Sequence, residues 1–106
     1  MKPPELLSQL QGAAEIPALA PFFRRAFGLE LLLLIDQAQR EGRGLGIEEC
    51  FEALTIAKPT RGTFARFFRE LVLEEVVLAD VSASKRSKRE VRLAPEVSRA
   101  LRRLFR

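Results

Sequence analysis

The order of apolar and polar residues over the first 41 positions predicts three helices. In "PPELLSQLQG" the leucines recur at helical spacing between two prolines and Gly12, which predicts a first helix ending near that glycine. In "IPALAPFFRRAFG" the prolines suit a helix start, the phenylalanines form a half-buried stripe, and Gly28 is expected to end the second helix. In "LELLLLIDQAQREG" apolar residues cover one broad face. Residues 31–35 alone would also fit a strand, but the helix formers after them and Gly42 favour a central core helix.

Two further helices are predicted on either side of Pro59. Before it, apolar residues follow an i, i+3, i+4, i+7 pattern at Ile47, Cys50, Phe51 and Leu54. Proline interrupts the period because it lacks an N–H, and a tight turn should follow. The pattern restarts with Phe64, Phe67, Phe68 and Leu71, so the phenylalanines are assigned to the core. The opposite face is basic and small, carrying Arg61, Gly62, Thr63, Arg66 and Arg69, which is typical of a helix that reads a DNA groove.

After Leu71 the period changes from helical to alternating, which predicts a hairpin. "VVLADVSA" and "REVRLA" are its strands, and the basic stretch from Ser84 to Lys88 is the connecting loop. Pro95 then begins a last helix. The fold class is therefore mainly α within α+β: a winged helix-turn-helix of order α-α-α-α-α-β-β-α. We expect one domain with an N-terminal helical extension (1–28), the motif itself (29–94) and a C-terminal helix (95–106).

Composition excludes several classes of protein. The 106-residue chain is 47% apolar with a mean hydropathy of −0.02 and has no apolar stretch long enough for a membrane span. Its N-terminus does not resemble a secretory signal and Cys50 has no disulfide partner, so we expect a cytoplasmic protein. With no His, Tyr or Trp and no phosphate-binding glycine loop, we expect neither an enzyme nor a cofactor or metal site. Cys50 is interpreted as a small buried hydrophobe.

Charge divides the chain into two unequal halves. Residues 1–56 carry five basic and eight acidic side chains, whereas residues 57–106 carry 13 basic and six acidic ones. A basic half fits double-stranded DNA, although an anionic protein or a membrane surface would satisfy the same balance. Three acidic residues of the fourth helix, Glu48, Glu49 and Glu52, argue mildly against DNA because they would repel phosphate.

From about Leu29 to Leu104 the sequence resembles the multiple-antibiotic-resistance regulator (MarR) family, most clearly in "TFARFFREL" and "REVRLA". The resemblance implies a helix in the major groove carrying Thr63 and Arg66, and Arg86 at a wing tip that enters the minor groove. Lys85 stands where the family usually has an aspartate. Arginine suits both positions, since its guanidinium can donate two hydrogen bonds to one guanine and is attracted to narrow minor grooves.

The sequence therefore predicts a small homodimeric regulator that binds specific double-stranded DNA sites. The recognition-helix contacts are Thr60, Arg61, Thr63, Arg66 and Arg69. The wing contacts are Ser84, Lys85, Arg86, Ser87, Lys88 and Arg89. The two ends of the chain carry the apolar residues expected to form the dimer interface: Leu6, Leu7, Leu10, Leu101, Leu104 and Phe105.

An alternative interpretation is a winged helix that binds another protein. In that case an apolar patch near Leu73 and Leu78 docks the partner, and the basic half complements the partner's acidity. The two hypotheses differ in the class of partner and in how strongly binding depends on salt.

Overall fold

The computed structural model describes residues 2–81 and 89–104 of the chain. The elements in chain order are α1 (Pro3–Glu15), a 3₁₀ helix (Ala20–Arg24), α2 (Gly28–Arg40), α3 (Ile47–Ala53), α4 (Arg61–Leu73), β1 (Val77–Val81), β2 (Arg89–Leu93) and α5 (Pro95–Leu104). This is the predicted winged-helix order, with one of the predicted helices present as a 3₁₀ helix.

The N-terminal extension differs from the prediction at both of its glycines. Helix α1 continues through Gly12 and ends at Glu15, because Ile16 precedes a proline and takes an extended conformation. Gly28 does not end a helix but begins α2. A Cβ there would lie 1.8 Å from the carbonyl oxygen of Phe22, so this close approach of two backbone segments requires glycine.

Helix α2 is the central core helix, as predicted. Its side chains at Leu31, Leu32 and Ile35 are fully buried. Beyond its end, Gly42 adopts a φ of 68°, a left-handed conformation in which glycine avoids strain. The amide of Leu93 donates to Gln39 Oε1 at 2.6 Å, which attaches the end of α2 to strand β2.

Five phenylalanines form a cluster in the core that joins α4 to α3 and to Phe27, the N-cap residue of α2, which is buried although its stripe was predicted to be half-buried. Phe67 meets Phe27 edge to face with ring centroids 5.1 Å apart, and Phe64 meets Phe51 in the same way at 5.4 Å. Phe64 also lies 5.8 Å from Phe68 on its own helix. All five side chains are buried, so α4 is held by its aromatic face against α3 and against Phe27, just before α2, and its other face is left outward.

The hairpin pairs β1 with β2 in antiparallel register, from Val77 opposite Leu93 to Val81 opposite Arg89. Val91 donates its N–H to the Leu45 carbonyl at 2.8 Å, and Gly46 bridges to Glu90, so the segment before α3 lies along the outer side of β2. Val91 and Leu93 are buried. This packing attaches the hairpin directly to α3.

Candidate nucleic-acid interface

The N-terminus of α4 is fixed by two threonines. Thr60 is the N-cap residue, and its side-chain oxygen accepts a hydrogen bond from the Thr63 amide at 3.3 Å. Its hydroxyl also donates to Thr63 Oγ1 at 3.1 Å. Because such caps satisfy amides that the helix leaves unpaired, both threonines have a structural role at the start of α4.

The outward face of α4 is exposed and basic, and it carries small residues beside its arginines. Arg66 and Arg69 are exposed, and neither forms an ion pair with another side chain in the described part of the chain. Gly62 and Ala65 lie beside them at helical spacing, and a Cβ at Gly62 would meet no atom within 4 Å. We call these four residues the α4 face. Two cations beside small residues allow close approach of an anionic surface.

Arg61 differs from the other arginines of α4 because α3 supplies its partners. Its guanidinium binds the carboxylate of Glu48 and, at 2.9 Å, that of Glu52. Its Cζ lies 4.7 Å from the centre of the Phe51 ring, within reach of a cation–π interaction. The hydrogen bond to Glu48 raises the pKa of Arg61, and Glu52 adds to that effect. We call Arg61, Glu48 and Glu52 the α3–α4 ion-pair cluster.

The connection between α3 and α4 is a longer loop than the predicted tight turn, spanning residues 54–60. Glu30 of α2 holds it: its carboxylate accepts hydrogen bonds from the amides of Thr55 (3.0 Å) and Ile56 (2.8 Å) and from the Thr55 hydroxyl. Lys58 places its ammonium 4.6 Å from the Phe51 ring centre. The loop is therefore held by a carboxylate of α2 and by the ring of Phe51.

The C-terminus of α4 is held by a second ion pair and by a left-handed residue. Arg24 of the 3₁₀ helix binds both carboxylate oxygens of Glu74, at 2.7 and 2.5 Å, and this hydrogen bonding lowers the pKa of Glu74. Glu75 then adopts a φ of 60°, while the amides of Glu75 and Val76 donate to the carbonyls of Val72 and Leu71. This is a Schellman motif in which glutamate occupies the position usually taken by glycine.

A shallow apolar groove of about 460 Å³ runs beside the α4 face, between α3, α4 and β1. Its apolar lining includes Ile47, Phe68, Val72 and Ala79, and Arg69 lies at its edge. We call it the α3–α4 groove. Leu73, at the end of α4, is 75% exposed, whereas Leu78 is half-buried.

Among solved structures, a point mutant of MepR from S. aureus superposes with a TM-score of 0.63 over 98% of this chain and 74% of that chain, at 16% identity. MepR bound to ethidium bromide superposes with a TM-score of 0.59 over 99% and 76%, at 15% identity. MepR is a MarR-family winged-helix regulator. The chain has the MarR-type winged-helix fold. No protein-family profile matches the sequence, and no curated protein matches it.

In this MarR-type fold the predicted recognition-helix residues do not form one uniform surface. Arg66 and Arg69 lie together on the outward face, whereas Thr60 and Thr63 cap the helix and Arg61 binds α3. The sequence pattern did not indicate these pairings. Glu48 and Glu52 are one helical turn apart, which put them on a common face, but nothing in the sequence indicated that the face lies against the start of α4.

The predicted wing and dimer residues are only partly within the described chain. Ser84, Lys85, Arg86, Ser87 and Lys88 lie outside the described residues, and Arg89 begins strand β2.

Leu6 and Leu7 are 44% and 57% exposed, and Leu10 and Leu104 are half-buried. Leu101 is 2% exposed because it packs into the core of its own chain, so it has almost no surface to offer a partner. Phe105 also lies outside the described residues.

Other kinds of site receive no support from the described residues. Over 2–81 and 89–104, no three His, Cys, Asp or Glu side chains gather in a way that could hold a metal ion, and no helix combines the length and apolar character needed to cross a membrane. Cys50 is fully buried, and burial, with a smaller contribution from Glu49, raises the pKa of its thiol to about 12. The thiol is therefore protonated at neutral pH, which makes it a poor nucleophile.

Proposed function

We propose that this protein is a transcription regulator that binds specific double-stranded DNA sites with α4 in the major groove. The observation that carries the proposal is the α4 face, where Arg66 and Arg69 project from a helix whose opposite side is buried through phenylalanines. The MarR-type fold, which belongs to DNA-binding transcription regulators, supports the same role. We also propose that the protein is cytoplasmic and is not an enzyme.

Within this proposal, Arg66 and Arg69 read base edges, while Thr60 and Thr63 position the helix. Arginine donates two hydrogen bonds to guanine in the major groove, a contact that discriminates between bases. The basic stretch with Lys85, Arg86 and Lys88 contacts phosphates or the minor groove. Its role is inferred from the charge of the sequence and from the resemblance to the MarR family.

We further propose that the protein acts as a homodimer that uses α1. The leucines at positions 6 and 7 are exposed on that helix, and isologous dimers are the commonest assembly of small soluble proteins. Light scattering is expected to give twice the 12.0 kDa mass of the chain. A mass that stays at that of one chain over a wide concentration range would contradict the dimer without affecting the assignment of α4.

The test of DNA binding begins with selection of duplexes from random sequence, followed by fluorescence anisotropy on the preferred site and on an unrelated duplex. Arg66→Ala is expected to cost about 1–3 kcal/mol on the preferred site and much less on the unrelated one. Arg99→Ala, an equal loss of charge on the exposed side of α5, serves as the matched control. Absence of duplex binding by the wild-type protein even at low salt would contradict the proposal.

The wing is tested separately through the salt dependence of binding. Arg86→Ala combined with Lys88→Ala should weaken binding to all duplexes and lower the logarithmic salt slope by about one unit for each phosphate that the protein no longer binds. Sequence preference should survive. A changed preference with an unchanged slope would mean that these residues read bases.

The second candidate function is a winged helix that binds a protein partner. It is favoured by the apolar α3–α4 groove and by the 75% exposure of Leu73. If this function holds, binding of an acidic partner should be lost in Leu73→Asp, while the wild type should fail to bind duplexes. Duplex binding that is unchanged in Leu73→Asp supports the DNA-binding proposal instead.

A further inference from the structure

In the α3–α4 ion-pair cluster, a cation at the start of the proposed DNA-reading helix is paired with carboxylates of the same chain. Arg61 is the first residue of α4, and its two terminal nitrogens bind different carboxylates, Glu48 through Nη1 and Glu52 through Nη2. These glutamates are one turn apart on α3. Both carboxylates therefore reach the same guanidinium without bending either helix.

The cluster is exposed, so its pairing can exchange. The side chain of Arg61 is 63% exposed and those of Glu48 and Glu52 are 65% and 58% exposed. Ion pairs in such surroundings are weak because water and salt screen them. A phosphate group could replace either carboxylate without unfolding any element.

The cluster also lies where phosphate would be expected if α4 enters a groove. The same helix carries the α4 face, and unpaired amides at a helix N-terminus favour an anion nearby. Arg61 would add a cation to that region, but its two carboxylate partners leave the cluster with one net negative charge. Phe51 holds the guanidinium in this arrangement through its ring, 4.7 Å from Cζ.

We propose that Glu48 and Glu52 compete with DNA phosphate for Arg61 and thereby withhold a phosphate contact from the wild-type protein. This inference rests on the proposed function. Arg66 and Arg69 then recognise the DNA sequence. Arg61 could add affinity for any DNA sequence, but it does not do so because its guanidinium is bound to carboxylates of α3. A phosphate contact carries no base information, so the withheld affinity is the sequence-independent part.

The experiment measures the salt dependence of duplex binding for a set of matched variants. Glu48→Gln with Glu52→Gln removes both competing charges and keeps the size of the side chains. Released Arg61 should then add one phosphate contact, which steepens the logarithmic salt slope by about 0.9 and tightens binding about eightfold at 0.1 M salt. The gain should be the same on an unrelated duplex.

Removing Arg61 separates its contribution from the general repulsion of DNA by the glutamates. In an Arg61→Ala background, the two glutamine substitutions should leave the slope unchanged. In the otherwise wild-type protein, Arg61→Ala should also leave the slope unchanged, since the contact is withheld. Glu49→Gln serves as the control on the same helix, because its carboxylate accepts a hydrogen bond from the Gly46 amide and glutamine can keep that bond.

Two results would overturn the inference while the proposed function stands. One is a steeper slope that persists in the Arg61→Ala background, which would assign the whole effect to reduced repulsion. The other is a slope that falls by about 0.9 on Arg61→Ala alone, which would show Arg61 already bound to phosphate. Failure of every variant to bind any duplex would overturn the proposed function, and this inference with it.

Discussion

Each end of α4 carries an exposed ion pair, whereas its middle is held by buried phenylalanines. At the start, Arg61 binds carboxylates of α3, and at the end, Glu74 binds the guanidinium of Arg24. Between them Arg66 and Arg69 project outward from a row of buried phenylalanines. The difference separates two uses of charge: the end charges are paired within the chain, and the middle charges are available for a partner.

The largest expected effect comes from removing the internal support of the middle of α4. Phe67 is 2% exposed and meets Phe27 edge to face. Phe67→Ala should lower the free energy of unfolding by about 3–5 kcal/mol, measured by urea denaturation, because it leaves a cavity where α4 packs against Phe27. Phe23→Ala, at a half-buried position, is the control and should cost clearly less. Equal losses would contradict the central role of Phe67.

The C-terminal end of α4 should gain stability when its left-handed residue is replaced. Glu75 has a φ of 60°, which costs about 1–2 kcal/mol for an ordinary side chain. Glu75→Gly removes that strain but makes the unfolded chain more flexible, so the expected net gain is about 1 kcal/mol in thermal or urea unfolding. A loss of stability would mean that the glutamate side chain makes a compensating contact.

The α4 face can be tested through two helical glycines that both have open space where a side chain would lie. A Cβ at Gly62 or at Gly12 of α1 would meet no atom within 4 Å. Each substitution to alanine should therefore stabilise the protein by up to about 1 kcal/mol, the difference in helix propensity at an interior position. Only Gly62→Ala should weaken duplex binding, because it adds a methyl group to the α4 face.

This pair of glycine variants is informative because its two measurements move in opposite directions. A more stable Gly62→Ala protein with weaker binding cannot be explained by damage to the fold. If Gly62→Ala leaves the affinity for duplexes unchanged in the anisotropy measurement, or if Gly12→Ala lowers that affinity equally, the α4 face is not the surface that contacts DNA.

The smallest expected effect concerns the ion pair at the end of α4. The pKa of Glu74 is lowered below its usual value of 4.5, so its stabilising contribution is present above that pH and is lost as the pH falls through the lowered pKa. Glu74→Gln should therefore cost between about 0 and 1 kcal/mol near neutral pH, the range for exposed pairs, and less in acid. In an Arg24→Gln background this pH-dependent difference should disappear. Its persistence there would assign the effect to another cation.

Local periodicity was sufficient to predict most of the elements. The spacing of Ile47, Cys50 and Phe51 predicted α3, and the return of helical spacing after Pro59 predicted α4. Both predictions were possible because the buried residues of an amphipathic helix recur at helical spacing in the sequence. The hairpin followed from alternation in the same way. Gly12 and Gly28 were misread, whereas Gly42 does follow the end of α2. A glycine in the sequence does not by itself distinguish a helix end from a tolerated position such as Gly12 or from a close backbone approach such as that at Gly28.

The sequence by itself determined that α4 has one aromatic face and one basic face, because both are consequences of spacing along a single helix. Only the tertiary structure decided which arginines remain available, since the partners of Arg61 lie on α3 and the partner of Arg24 lies 50 residues along the chain, just after α4. Periodicity reports which side of an element is buried but not which element covers it. The distinction between Arg61 and Arg66 therefore depends on the packing of α3 against α4, which the spacing of residues along either helix does not specify.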